Sequence, residues 1–165
     1  MLQFYIDTSA LLKRYHREEG SEFVNDLYDI KRKENGKIYT SILTIAEYCS
    51  AIRRKQREGK FSEALANGIL SAFFKESESM LFTIPADRHV VSLSIRLISD
   101  YPLKAYDAVQ LASSLNAREY FSGTGDFFFV CDDERLCVVS EKEKLKVLRP
   151  RSPAAHTELL RLRMT

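Results

Sequence analysis

The chain has 165 residues, 45% apolar and 29% charged, with a formal net charge of +2. That length fits one domain of about 100–200 residues, and a globule of this size buries roughly 68–70% of its unfolded surface without staples. Disorder is excluded by the composition, and a membrane span by the longest strongly apolar run, Phe127–Cys131, which falls far short of about 18 residues.

Leu2–Ile6 is short, apolar and aromatic, as a buried strand requires. Asp7-Thr8-Ser9 then forms a helix-start cluster, and Ala10, Leu11, Leu12 and Tyr15 begin a helix. Ser21–Lys33 repeats the helical period, Asn35-Gly36 marks a turn, and Lys37–Ile42 predicts a second strand. Thr44–Arg57 is a helix ending in Arg53, Arg54, Lys55 and Arg57; Ser62–Glu78 is another. The strand Leu81–Ile84 precedes helices over Ala86–Ser99 and Leu103–Arg118, the second opened by Pro102. Phe127–Cys131 is a fully apolar strand, Asp133–Ser140 a short helix and Leu145–Leu148 a last strand. Strands alternating with helices imply a mostly parallel central sheet covered on both faces, an α/β/α sandwich in a single domain.

Three cysteines, Cys49, Cys131 and Cys137, form no C-x-x-C pair, which suits reduced thiols in a cytosolic protein. Met1–Tyr15 lacks the basic start, apolar stretch and cleavage site of a secretory signal, so a cytoplasmic location without membrane contact is expected. Charge is uneven: from Lys142 onward it is +5, against −3 for the remainder. A basic tail, a solvated appendage beyond Pro150, is therefore expected.

Asp7, Glu47 and Asp133 closely follow predicted strands, and Asp107 lies in the first turns of the helix after Pro102. Each has an ordinary structural explanation. Asp7 and Asp133 suit helix caps, Thr44-x-x-Glu47 spells a capping box, and Asp107 suits the positive end of a helix dipole. Together they mean more, because strand ends running into helix starts share one edge of a parallel sheet, where ligands bind. Four carboxylates there repel one another, and a hard divalent cation, Mg2+ or Mn2+, is the economical explanation. No phosphate-cradling glycine motif is present, Gly123-Thr124-Gly125 being an ordinary loop. An acidic metal site then points to phosphodiester hydrolysis by a metal-activated water.

Four motifs occur in order: Tyr5-Ile-Asp7-Thr-Ser9-Ala-Leu, Leu43-Thr44-Ile-Ala-Glu47, Ala105-Tyr-Asp107-Ala-Val-Gln-Leu-Ala112 and Phe129-Val-Cys-Asp-Asp133-Glu-Arg-Leu136. Together they resemble the PIN-domain ribonucleases, and most closely the VapC-like toxins of type II toxin–antitoxin pairs. The resemblance spans 1–148, which sets the expected domain, and leaves 149–165 as a basic tail outside it. The resemblance implies a Mg2+- or Mn2+-dependent endoribonuclease with Asp7, Glu47, Asp107 and Asp133 as catalytic and metal-binding acids. It also implies an RNA substrate, a protein antitoxin that occludes the pocket, and a homodimer. Ser9 matches a small hydroxyl residue that positions water or a carboxylate, with an ordinary helix-start serine as the alternative. Cys131 departs from the family, which often has a hydroxyl residue there. Asp133 is the fourth acid because it precedes Leu136 by three, with Asp132 as second choice. RNA contacts are assigned to Arg53 and Arg54 in the cluster Arg53–Arg57 on the third helix and to Arg149 and Arg151 in the tail. The rival readings are a non-catalytic PIN-like module binding RNA or protein, and a metal-dependent phosphatase.

Overall fold

The computed structural model describes residues 1–33, 36–121 and 125–163. Strand β1 (Leu2–Ile6) leads through Asp7 into a short helix α1 (Thr8–Leu11) and a 3-10 turn (Leu12–Arg14). Helix α2 (Ser21–Arg32), strand β2 (Gly36–Ser41), helix α3 (Ile42–Arg57) and helix α4 (Glu63–Met80) follow. The chain continues as β3 (Leu81–Ile84), α5 (Arg88–Asp100), α6 (Ala105–Phe121), β4 (Phe127–Val130), α7 (Glu134–Lys142), β5 (Lys146–Leu148) and α8 (Pro153–Arg163). Each predicted strand is present within a residue or so. Gly36 opens β2 rather than closing a turn; its expected turn partner Asn35, and residues 123 and 124 of the expected loop, lie outside the described residues.

The five strands form one sheet in the order β3-β2-β1-β4-β5, and every neighbouring pair is parallel. Period-two alternation divides the side chains of β1 and β4 between two cores. Phe4, Ile6, Phe128 and Val130 face α1, α2, α3, α4 and α8, whereas Tyr5 and Phe129 face α5, α6 and α7. Aromatic rings stack across the β1–β4 register on both faces, Phe4 on Phe128 and Tyr5 on Phe129, with centroids 5.7 Å apart in each pair. The result is the expected α/β/α sandwich. Strand order reverses beside β1, so the carboxyl ends of β1 and β4 flank the crevice where such sheets take their ligands.

The segment after Pro150 differs from the expected solvated appendage. Pro153 occupies the first turn of α8, where its missing N–H costs nothing. Ala155, Leu159 and Leu162, spaced four and three apart, are buried in the same core as β1 and α2. His156 and Arg163 reach Asp26 of α2 at 2.9 and 3.3 Å. Gly20, with φ at +89°, caps α2 beside Pro150; a Cβ there would come within 2.9 Å of the proline ring. Among the described residues, no helix is long and apolar enough to cross a membrane, and all three cysteines are free thiols.

Candidate functional site

Asp7 leaves the end of β1 and caps α1. Its Oδ1 accepts from the Ala10 amide at 3.2 Å and the Ser9 hydroxyl at 2.9 Å. Only 4% of Asp7 is exposed. Burial pushes its pKa up to about 7; the bonds from Ser9 and Ala10 pull it back in part, and the charge of Glu47 raises it further. Capping and a carboxylate primed for a cation thus coincide in one side chain.

Glu47 takes no part in a capping box. Helix α3 starts earlier than expected, at Ile42, and is capped by Ser41, whose hydroxyl accepts from the Leu43 amide at 3.3 Å. Thr44 consequently lies inside the helix, 2.8 Å from the Thr40 hydroxyl. Glu47 Oε2 accepts from the Thr8 hydroxyl and from Gln110 Nε2 at 3.2 Å. Gln110 is the hub of this corner: Nε2 also lies 2.9 Å from Thr44 Oγ1 and 3.2 Å from Thr8 Oγ1, while Oε1 accepts from Tyr5 at 2.8 Å. Burial holds the Tyr5 phenol far above its ordinary pKa, so it remains a donor. Buried polar groups of this kind specify geometry only when all are satisfied.

Asp107, in the first turn of α6, is half-buried. Burial raises its pKa first, then the charges of Asp133 and Glu47, against a lowering by Lys104. Asp133 is exposed and caps α7 by accepting from the Leu136 amide at 2.9 Å. Its neighbour Asp132 is engaged elsewhere, 2.9 Å from both Lys13 Nζ and Arg151 Nε. Cys131 Sγ lies 3.9 Å from Ser9 Oγ and donates to the Asp133 carbonyl at 3.5 Å; burial keeps it a thiol. A weak sulfur contact therefore stands where a hydroxyl would bond strongly.

Asp7 senses the charge of Glu47, and Asp107 the charges of Asp133 and Glu47, yet among the described residues no three Asp, Glu, His or Cys side chains form a preformed ligand group. The donor set still fits a hard divalent cation. It is all oxygen, and both Asp7 and Asp107 are held above their ordinary pKa in a way that a cation would reverse. The candidate cations differ in their surroundings. Arg53 bonds Gln56 at 2.8 Å near the far end of α3, and Arg54 is exposed two turns beyond Glu47, about 10 Å along the helix. Arg149 is drawn onto α7, 2.6 Å from Glu141 and 3.4 Å from Glu134. Tyr5, Thr8 and Gln110 stand inside the motifs with no role of their own there, Lys13 stands outside them, and Arg151, expected to contact RNA, lies 2.9 Å from Asp132. A lone glutamine in an otherwise small and apolar stretch of α6 was the available sign of the hub.

A family model described as PIN domain matches residues 4–119. No curated protein matches the chain. Three solved structures share its fold at low identity. PAE2754 from Pyrobaculum aerophilum is 22% identical, with a TM-score of 0.60 over 99% of this chain and 97% of that one. VapBC2 from Rickettsia felis, solved bound to a DNA fragment from their promoter, is 12% identical, with a TM-score of 0.62 over 90% of this chain and 98% of its own. FitAcB from Neisseria gonorrhoeae is 13% identical, with a TM-score of 0.57 over 89% and 97%.

Proposed function

This chain belongs to the PIN domain family, and on that premise we propose that it is a cytoplasmic endoribonuclease dependent on Mg2+ or Mn2+, the toxin of a type II toxin–antitoxin pair. The observation that carries the reading is the buried Asp7 at the sheet's reversal point, held near neutrality beside Glu47, with Asp107 raised by Asp133 and Glu47. Asp7 and Asp107 are the principal ligands of the cation, and Glu47 and Asp133 complete the pocket. When bound, the cation supplies charge neutralisation at the scissile phosphate and acidifies water. Ser9 orients Asp7, and the Gln110 hub fixes Glu47. Because ligation requires the carboxylate form, metal affinity rises with pH towards and through the pKa of Asp7.

An acidic pocket repels RNA, so affinity comes from cations around it. Arg53 and Arg54 fit that role better than Arg149, whose charge is answered by Glu134 and Glu141. The likeness to VapBC2 and FitAcB supports a protein antitoxin as partner; in this reading the antitoxin covers the acids, with an Arg or Lys offered to them, and the toxin acts as a homodimer.

Thermal unfolding with and without Mn2+, on the wild type, Asp7→Asn and Asp107→Asn, tests the metal reading. Mn2+ raises the wild-type midpoint by linkage, while the Asn variants gain little yet match or exceed the wild type in metal-free buffer. Indifference to Mn2+ in every chain moves the reading to a non-catalytic binding module. Turnover of RNA but not of mononucleotides by the same preparation separates the nuclease from a phosphatase.

A further inference from the structure

Asp132 adjoins the acidic edge, but its carboxylate is held between two cations. Oδ2 lies 2.9 Å from Lys13 Nζ, and Oδ1 accepts from Arg151 Nε at 2.9 Å. The Arg151 fork also reaches the Asp132 carbonyl at 3.4 Å, a double contact that an ammonium would not make. Lys13, 5% exposed, further donates to the Glu19 carbonyl at 2.9 Å. A buried ammonium persists only when paired, so Lys13 and Asp132 fix each other. The Asp132 amide then donates to Ser9 Oγ at 2.9 Å, which directs the Ser9 proton onto Asp7 Oδ1 at 2.9 Å. Without that amide, the Ser9 hydroxyl is free to turn towards Cys131 Sγ, 3.9 Å away.

We propose that Arg151, outside the family-matched residues 4–119, is a positioning residue of the acidic edge. By clamping Asp132 against Lys13, it holds the Asp132 amide on Ser9, and Ser9 in turn orients Asp7. The role rests on the divalent-cation reading of that edge. It makes the C-terminal segment part of the site's scaffold rather than an RNA-binding arm.

The test uses the full chain. Mn2+ binding is measured by calorimetry on the wild type, Arg151→Gln, Ser9→Ala and the double variant, and hydrogen exchange is followed at the Asp132 amide. Arg151→Gln weakens Mn2+ binding about tenfold, the lower end for residues that orient metal ligands, and speeds exchange of that amide. In the Ser9→Ala background the same substitution costs no further affinity. Unchanged Mn2+ affinity in Arg151→Gln, or an equal loss in both backgrounds, overturns the proposal. A wild type that takes up no Mn2+ overturns the metal reading instead. Amide exchange then decides the clamp alone, and unchanged protection in Arg151→Gln overturns it.

Discussion

The two halves of the acidic edge are built differently. At the ends of β1 and β2, Asp7 and Glu47 are met from inside the protein by Thr8, Ser9, the Ala10 amide and Gln110. At the starts of α6 and α7, Asp107 and Asp133 have a helix cap, the opposing charge of Lys104 and otherwise each other. The first half is organised in advance, at the cost of burying a carboxylate. The second is open and mutually repelling, with its geometry left to whatever positive charge arrives. Under the proposed function, one half fixes where a cation sits, and the other supplies charge to hold it.

The largest effect that could break this contrast concerns pH. Burial pushes the Asp7 pKa up to about 7, well above the ordinary aspartate value near 4. A carboxyl with a raised pKa binds its proton more tightly when folded. Its contribution is therefore best below about pH 4, is lost between about pH 4 and 7, and stays lost above. That rise corresponds to about 4 kcal/mol as an order of magnitude. Asp7→Asn should flatten that decline in urea unfolding at pH 5 and pH 8, whereas Asp107→Asn, in the open half, should leave most of it. A decline that survives Asp7→Asn refutes the assignment.

A smaller effect sharpens the contrast. Gln110→Leu removes the acceptor of the buried Tyr5 hydroxyl and the donor shared by Thr8, Thr44 and Glu47, and should cost about 1–3 kcal/mol, read from the denaturant midpoint at constant slope. Asp133→Asn, which keeps the cap, should change stability far less. The smallest effect concerns the cations outside the pocket. In an Asp7→Asn background, Arg54→Gln should lower the salt dependence of RNA affinity by about 0.7 in slope, one phosphate contact on a single strand. Arg149→Gln should leave it unchanged, because Glu134 and Glu141 already answer that charge. Anisotropy titrations across salt concentrations distinguish the two.

Legibility in the sequence followed the range of the forces involved. Strands and most helices rest on local patterning, so they could be read along the chain to within a few residues. The four acids were legible because a parallel sheet gathers its strand ends without any contact having to be known. Thr44-x-x-Glu47 misled because a local capping pattern was present while Ser41 took the cap and Gln110, 63 residues from Glu47 in the chain, took the glutamate. Two prolines made the tail look like a separate appendage, although Ala155, Leu159 and Leu162 already had helical spacing. The Asp132–Asp133 doublet was ambiguous for a similar reason: the pairing of Asp132 comes from Lys13 and Arg151, which no local pattern brings to it.

The place of β1 has a consequence for biosynthesis. The first strand made is the middle of the sheet, and its pairing with β4 joins Ile6 to Val130. At roughly 5–20 residues per second, translation leaves one flank of β1 without its partner for roughly 6–25 s, with Phe4, Tyr5 and Ile6 awaiting cover. Asp7 emerges with that strand, but Asp133 follows only after β4. No nascent chain shorter than this holds the four acids together, so under the proposed function the activity waits on β4.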